Sequence, residues 1–361
     1  MKPVYHEFCM NTPYLDLLLD QIEEVVRNYD ADGIFLDIVG ARQCYCQYCV
    51  QELRELGKDP RDQQAVTELG EKVFRNYALK VKDRIHRIKP DMPIFHNSGH
   101  IRRGRRDLLY FNTHLELESL PTGGWGYDHF PLSARYAQTV GLDYLGMTGK
   151  FHTSWGEFGG FKHPNALRYE TALSLANGAR CSIGDQLHPD GIMDEATYAL
   201  IGTAYKEVAT KEPWCTDVSS VADVALLSLE AVHAQQQTED SASAGLSDAG
   251  AVRMLLEGKI LFDVLDLEAD FERYKVLILP DGVRMTFELE KKLSDYTANG
   301  GKILATGSSG LRDTGQFGID FGVKWLEENR YRPDYFHPHF QLKNLETTSF
   351  IFLFERSTHR A

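Results

Sequence analysis

The chain has 361 residues, of which 43% are hydrophobic and 25% are charged. This is an ordinary globular composition, and the length allows one large domain or two of average size. A formal net charge of −13 argues against nonspecific binding to nucleic acid or to an anionic membrane, because both would repel the chain. No apolar run approaches the roughly 20 residues of a membrane span, and the start of the chain lacks the apolar core of a signal peptide. We therefore expect a cytoplasmic protein.

Short apolar strands alternate with helices over residues 1–216. Strands are predicted at 33–36, 93–97, 113–118, 144–148 and 180–183. Helices are predicted at 13–29, at about 62–89, at 164–177 and at 194–210, and a further helix is expected to end at about residue 140. This βα order is typical of a parallel barrel or a doubly wound sheet. Acids, histidines and tryptophans accumulate in the loops after the strands, which share one face in a barrel and so favour that fold. Because a barrel needs eight strands, the prediction is an incomplete (β/α)8 TIM-type barrel or, alternatively, an open sheet.

A second α/β domain is predicted from residue 217 to residue 361. Its strands are expected at 224–228, 276–280 and 302–306, and its helices at 251–258 and 287–298. Residues 235–250 are rich in Ser, Ala, Gln and Asp, which predicts a polar loop. The tail beyond Leu311 shows no clear element.

Two segments carry candidate chemistry. Asp37 directly follows the first strand, at the end where parallel α/β folds bind ligands. Strict alternation in the third strand places His114, Glu116 and Glu118 on one face. The alternative for Asp37 is a loop cap that accepts backbone amides.

Three of the six cysteines, Cys44, Cys46 and Cys49, lie within six positions. This C-x-C-x2-C spacing fits a metal site in a reducing compartment better than disulfides. Free buried thiols are the alternative. No organic cofactor is suggested.

These motifs resemble known glycosidases. The run Cys9-Met10-Asn11-Thr12-Pro13-Tyr14, followed by the Cys44–Cys49 cluster, is similar to the zinc-cluster barrel enzymes of glycoside hydrolase family 42, the β-galactosidases. The second domain resembles their trimerisation domain, which has a glutamine-amidotransferase-like fold. Family 42 has an Asn-Glu pair where this chain has Leu36-Asp37, however. The strand ending in Asp37, a later glutamate and Trp125-Gly126-Tyr127 resemble the α-L-fucosidases of family 29, and the combination looks most like family 151.

The resemblance implies a retaining exo-α-L-fucosidase that acts on a small sugar or oligosaccharide and assembles as a dimer or trimer. It implies structural zinc bound by Cys9, Cys44, Cys46 and Cys49, and a chain that lacks the first three strands of the barrel. Asp37 would be the nucleophile. The acid/base would be Glu116 or Glu118, with Glu116 narrowly preferred for its spacing to the Trp-Gly-Tyr turn. A β-galactosidase of the family 42 kind, or an inactive fragment that acts in oligomerisation or sugar binding, are the competing hypotheses.

The remaining candidates are residues that would bind the sugar. Trp125 and Trp155 offer flat apolar rings for stacking, with a place in the core as the alternative for each. Other candidates at or after strand ends are His96, Asn97, His114, Tyr127, His152, Glu157, Asp185, Gln186 and His188. Glu157 is also the rival nucleophile, by its position relative to family 42. The cluster Arg102, Arg103, Arg105 and Arg106 suggests an anionic ligand or, preferably, a solvated turn.

Overall fold

The structure is a computed structural model that describes residues 7–157, 159–236 and 241–328. The described residues form an α/β fold whose named strands all pair in parallel. The strands are β1 (Ile34–Leu36), β2 (Ile94–His96), β3 (His114–Glu118), β4 (Asp143–Gly149), β5 (Arg180–Gly184), β6 (Val224–Leu227), β7 (Phe262–Leu265), β8 (Val276–Leu279) and β9 (Lys302–Ala305). The helices are α1 (Tyr14–Asn28), α2 (Gln47–Glu55), α3 (Gln63–His86), α4 (Arg106–Leu109), α5 (His129–Ala137), α6 (Pro164–Ala176), α7 (Glu195–Lys211), α8 (Leu229–Gln236), α9 (Ser241–Glu257) and α10 (Phe287–Ala298).

The first five strands follow one another in space in the order of the chain. β1 pairs with β2, and β3, β4 and β5 form a three-stranded sheet. The Thr113 amide donates to the Ile94 carbonyl at 2.9 Å, which joins β2 to the start of β3. Because all five strands run in the same direction, their carboxyl ends share one edge. The five predicted strands are confirmed.

Helices α1 and α3 bury one side of β1 and β2. Leu19, Val26, Val81 and Ile85 are buried in this cluster together with Ile94. Helix α3 begins where the Asp62 carboxylate accepts the Gln64 amide at 3.0 Å, which is an ordinary helix cap. No helix in the described residues is both long enough and apolar enough to span a bilayer.

The last four strands form a parallel sheet in the order β7-β6-β8-β9. One face, which includes Leu226 and Val264, packs in a core shared with α5 and α9. The other face, which includes Leu227 and Leu279, packs against α10. The second sheet is therefore joined to the first five strands by a continuous apolar core.

The polar loop predicted at 235–250 is wrong. Helices α8 and α9 occupy most of this stretch, apart from residues 237–240, which lie outside the described part of the chain. Val252 is fully buried in the shared core, and the buried Asp248 carboxylate accepts the Leu229 amide at 2.7 Å at the start of α8. Burial of one helical face thus outweighs the loop-like composition of the segment. The residues after 328 in the predicted tail also lie outside the described residues.

The arginine cluster is not a solvated turn. Arg103 is 3% exposed and forms ion pairs with Glu230 and Asp248. Arg106 donates two hydrogen bonds to the fully buried Asp266, at 2.7 and 3.0 Å. These acids belong to the second sheet and its helices, so the arginines join the two parts of the chain.

Candidate active site

Three polar side chains meet at the carboxyl ends of the first three strands. Asp37 directly follows β1, Asn97 directly follows β2, and Glu118 is the last residue of β3. Phe35 contacts Phe95, and Phe95 contacts His114, with ring centroids 5.6 and 5.7 Å apart. These two ring contacts show that the side chains on one face of β1, β2 and β3 form a continuous surface. By strand alternation, the three polar side chains lie on this same face.

Asn97 joins the two acids. Its side-chain Nδ2 donates to Asp37 Oδ1 at 2.8 Å and to Glu118 Oε2 at 3.2 Å. The amide orientation is set by its oxygen, because Asn97 Oδ1 accepts the Gly99 backbone amide at 3.0 Å. Two acceptors on one nitrogen at these distances limit the separation of the two carboxylate oxygens to about 6 Å. This upper limit is compatible with the roughly 5 to 5.5 Å between the carboxyl groups of retaining glycosidases.

Trp155 provides the second hydrogen bond to Glu118. Its indole nitrogen donates to Glu118 Oε1 at 2.6 Å. The ring lies against the backbone of Gly184 at the end of β5, where an added Cβ would be 2.3 Å from the indole. Phe151 packs edge-on against the same ring, with centroids 5.3 Å apart. The ring is therefore positioned by β5 and by its own loop, and it orients the Glu118 carboxylate.

The backbone beside Asp37 is strained. Ile38 has φ +52°, in the left-handed region that a β-branched residue rarely adopts. Its neighbour Val39 donates its amide to the Asn97 carbonyl at 2.9 Å, and the Asn97 amide donates to the Leu36 carbonyl at 2.8 Å. These ladder bonds hold the strained turn against β2. Strain of this kind is concentrated at functional sites.

The ends of β4 and β5 add further polar groups to this edge. Lys150 directly follows β4, is 3% exposed, and has its Nζ 3.9 Å from Asp185 Oδ1 after β5. Asp185 Oδ1 and Gln186 Oε1 are buried and have no hydrogen-bond partner among the described residues. Lys150 was not predicted as a site residue. Its position immediately after a strand, like that of Asp37, was the signal for it.

Behind this edge lies a buried ion pair that the sequence did not indicate. Lys162 Nζ donates to Glu170 Oε2 and to Thr148 Oγ1, each at 2.7 Å, and the Lys162 side chain is fully buried. Burial lowers the pKa of Lys162, and Glu170 opposes this shift. Tyr127 reaches Glu170 at 3.4 Å, and burial together with the Glu170 charge raises the pKa of the phenol. Tyr127 therefore contacts the Lys162–Glu170 ion pair.

Glu116 and His114 lie deeper on the same face as Glu118. His114 Nε2 is 3.0 Å from Glu116 Oε1, so the two side chains pair with each other. Glu116 is two residues further from the carboxyl end, a distance of about 7 Å along a strand. The geometry thus gives Glu118, and not the narrowly preferred Glu116, the hydrogen-bonded connection to Asp37.

His96 lies on the opposite side of the sheet from Asn97. Its ring packs edge-on against Tyr77 and Phe74 of α3, and its Nδ1 is 3.0 Å from Asn112 Oδ1. The residue is 6% exposed, and burial lowers its pKa. Strand alternation thus places this predicted sugar-binding residue in the core under the helix, on the other side of the sheet from Asp37, Asn97 and Glu118.

The other predicted residues lie in loops beyond the strands. Trp125 is 38% exposed and packs edge-on against His129, with centroids 4.9 Å apart. The Glu157 carboxylate accepts the amide and the hydroxyl of Thr153 in its own loop, at 2.5 and 2.7 Å. These bonds lower the pKa of Glu157. His152 and His188 are exposed.

The four cysteines of the predicted zinc site form one cluster. The Sγ atoms of Cys9, Cys44, Cys46 and Cys49 all lie within 4.8 Å of one another. Burial raises the pKa of Cys9 to about 11, and burial also raises that of Cys49. Asn11 donates its backbone amide to Cys9 Sγ at 3.4 Å and its side-chain amide to Cys49 Sγ at 3.7 Å. Four converging sulfurs with such donors fit a tetrahedral metal ion.

Comparison with known proteins first defines a class of fold. Residues 223–319 match the sequence model of the β-galactosidase trimerisation domain. A GH42 β-galactosidase from G. stearothermophilus has a TM-score of 0.67 at 14% identity, with coverage of 84% of this chain and 56% of that enzyme. A β-galactosidase from Rahnella sp. R3 has a TM-score of 0.68 at 14% identity, with coverage of 86% and 57%. At this identity the likeness concerns the fold alone.

The similarity of this chain to one α-L-fucosidase is much stronger. The chain is 58% identical to α-L-fucosidase isoenzyme 2 from Paenibacillus thiaminolyticus, with a TM-score of 0.87 over 95% of its length. The match covers 52% of that enzyme, so the chain spans about half of its length. No curated protein matches the chain. The resemblance to α-L-fucosidases and to the β-galactosidase trimerisation domain, expected from the sequence, is confirmed.

Proposed function

We propose that this chain carries the catalytic pair of a retaining exo-α-L-fucosidase. The observation that carries the proposal is the single Asn97 amide that hydrogen-bonds to both Asp37 and Glu118. It brings two carboxyl groups within reach of one sugar ring, as double displacement requires. The 58% identity to an α-L-fucosidase supports L-fucose as the sugar.

In this mechanism Asp37 is the nucleophile. Its carboxylate attacks the anomeric carbon while Glu118, in its acid form, protonates the departing glycosidic oxygen, which leaves as an alcohol. A glycosyl ester on Asp37 results. Glu118 then takes a proton from water, and the hydroxide formed releases the sugar and regenerates the Asp37 carboxylate. Asn97 holds both groups in register throughout.

Substrate hydroxyls would be bound by the polar groups at the ends of β4 and β5. Asp185 Oδ1 and Gln186 Oε1 are buried acceptors that need donors, which sugar hydroxyls supply. The adjacent Lys150 donates to a hydroxyl oxygen. The rings of Trp125 and Trp155 offer apolar surface to the sugar.

The test is hydrolysis of aryl glycosides by the chain and its variants. We expect release of the aryl group from an α-L-fucoside, loss of this activity in Asp37→Ala, and recovery of turnover when azide replaces the nucleophile. Glu118→Gln should abolish hydrolysis of a substrate with a poor leaving group, whereas the matched control Glu116→Gln should retain it. Full activity in Asp37→Ala, or equal losses in the two glutamate variants, would contradict the assignment.

The β-galactosidase hypothesis is tested in the same panel. It requires activity on a β-galactoside and loss of that activity in Glu157→Ala. The Glu157 carboxylate is engaged by Thr153 within its own loop, which favours a structural role for it.

The second part of the chain favours an additional role in assembly. We propose an incomplete barrel over residues 1–216 and an amidotransferase-like domain over 217–361, because residues 223–319 match a trimerisation domain. A dimer or trimer is expected in solution, and sedimentation velocity measures it. An inactive chain that still oligomerises would favour the fragment hypothesis.

We further propose that the four cysteines hold a structural zinc ion. Cys9 would join the end of the segment before α1 to the three cysteines around the start of α2, and the ion would crosslink these segments. Thiolate ligands of this kind are kept in a reducing compartment, which supports a cytoplasmic location. Metal analysis of the purified chain, with one zinc per chain as the expected result, tests this proposal.

A further inference from the structure

The loop between β2 and α4 connects the candidate active site to the second part of the chain. It begins at Asn97, the residue that bridges the two acids, and it ends at Arg105 before α4. Gly99, two residues into the loop, donates the amide that orients the Asn97 side chain. Any displacement of this loop therefore acts directly on the hydrogen bonds between Asn97 and the two acids.

Glu230, in the first turn of α8, binds this loop at three points. His100 Nε2 lies 3.0 Å from Glu230 Oε1, and the Arg103 backbone amide donates to the same oxygen at 3.1 Å. The Arg103 guanidinium pairs with the other carboxylate oxygen, Oε2. Burial of Glu230 opposes ionisation, but the His100 hydrogen bond and the Arg103 charge lower its pKa to about 2. Glu230 is thus a carboxylate at neutral pH.

The surroundings of Glu230 leave little room for the loop to shift. Arg103 is buried and also donates to Ser228 Oγ at 3.0 Å. Gly104 has φ +77°, and an added Cβ there would be 2.6 Å from the Ala231 carbonyl oxygen in α8. The loop and the start of α8 are therefore in direct backbone contact.

We propose that Glu230 is a positioning residue, which holds the loop between β2 and α4 so that Asn97 keeps Asp37 and Glu118 in register. Glu230 contacts the loop at His100 and Arg103 and acts through it. The catalytic consequence of this inference rests on the proposed function. Its structural part, control of the Asn97 orientation from the second part of the chain, does not depend on that function.

Hydrogen exchange tests the structural part. Because the Gly99 amide is bonded to Asn97 Oδ1, its exchange rate reports how well the Asn97 side chain is held. In the full chain we expect Glu230→Ala to accelerate exchange at Gly99 by about tenfold, Glu230→Gln to recover part of the protection, and His100→Ala to give an intermediate rate. His100 is partly exposed, so its variant will fold even if Glu230→Ala does not. Gln138→Ala breaks a different contact between the two parts, with Asp263, and should leave Gly99 unchanged.

Kinetics with an aryl α-L-fucoside tests the catalytic part. Loss of orientation without loss of sugar contacts should lower kcat by about tenfold in Glu230→Gln and change KM little. Unchanged Gly99 exchange in Glu230→Gln and His100→Ala overturns the proposal, as does faster exchange with an unchanged kcat. If the wild-type chain hydrolyses no glycoside, the proposed function fails, and the exchange measurement alone decides whether Glu230 controls Asn97.

Discussion

Replacing Asn97 by alanine is the most direct test of the candidate site. The substitution removes the nitrogen that donates to Asp37 at 2.8 Å and to Glu118 at 3.2 Å, and it removes no group assigned to substrate binding in the proposed mechanism. The two carboxyl groups would then face each other without a common donor. We expect kcat to fall while KM changes little, because the lost bonds serve the reacting acids.

The size of the effect follows from these hydrogen bonds. The bridge donates to a charged carboxylate both before and after the first step, so its effect on kcat comes from holding the two acids in the reacting geometry. A hydrogen bond to a charged group contributes about 1.5 to 3 kcal/mol. At about 1.4 kcal/mol for each factor of ten in rate, kcat should fall by about 10- to 150-fold.

Initial rates on an aryl α-L-fucoside measure this effect. Ser98→Ala is the matched control, because Ser98 is the next residue, is exposed, and bonds to a backbone carbonyl of its own loop at 3.2 Å. Asn97→Asp, which keeps the size but replaces the donor by an acceptor, should be at least as slow as Asn97→Ala. A kcat for Asn97→Ala equal to that of Ser98→Ala would refute the role of the bridge.

Three further predictions concern stability and metal binding. Arg106→Ala removes the guanidinium that pairs with the buried Asp266 carboxylate and should lower the free energy of unfolding by about 3 to 5 kcal/mol in urea titrations, against less than about 1 kcal/mol for the exposed pair broken by Lys275→Ala. Asn11→Ala removes a donor to the cysteine cluster and should weaken zinc binding by about 10- to 100-fold in chelator competition. An unchanged zinc affinity would show that the Asn11 hydrogen bond does not support metal binding. Burial and the nearby His100 and Arg103 charges lower the pKa of His129 from 6.5 to about 4. The unfolded chain therefore binds this proton first, so stability is lost as the pH falls from about 6.5 to 4, by up to about 3 kcal/mol. His129→Asn should flatten that part of the stability curve, and an unchanged slope would contradict the assignment.

Local sequence patterns were sufficient for the strands and for the residues that end them. Short apolar runs closed by turn signals predicted all five strands of the first part, and the position of Asp37 after the first of them predicted its place at the strand ends. Alternation in β3 placed Glu116 and Glu118 on one face, as found. Cysteine spacing predicted three members of a cluster that the structure brings together with Cys9.

Some elements were missed because tertiary contacts outweigh composition. Strand β7 contains Asp263, which interrupts its apolar pattern, yet this carboxylate is buried and accepts hydrogen bonds from Tyr274, Gln138 and Ser220 at 2.8, 2.6 and 2.7 Å. Two of these partners, Gln138 and Ser220, lie 125 and 43 residues away in the chain. The local pattern therefore carried no signal of a strand.

The sequence by itself determined which side chains stand at the strand ends, because strand length and alternation are local properties. Only the tertiary structure decided which of them meet. Depth along β3 separates Glu118 from Glu116, and the orientation of one amide, 60 residues from Asp37 and 21 from Glu118, joins the two acids. The loop that follows this amide contacts Glu230 through His100, and these two residues are 130 positions apart in the chain. Hydrogen bonds of this range depend on packed backbone positions to within an ångström or less, which no local pattern specifies.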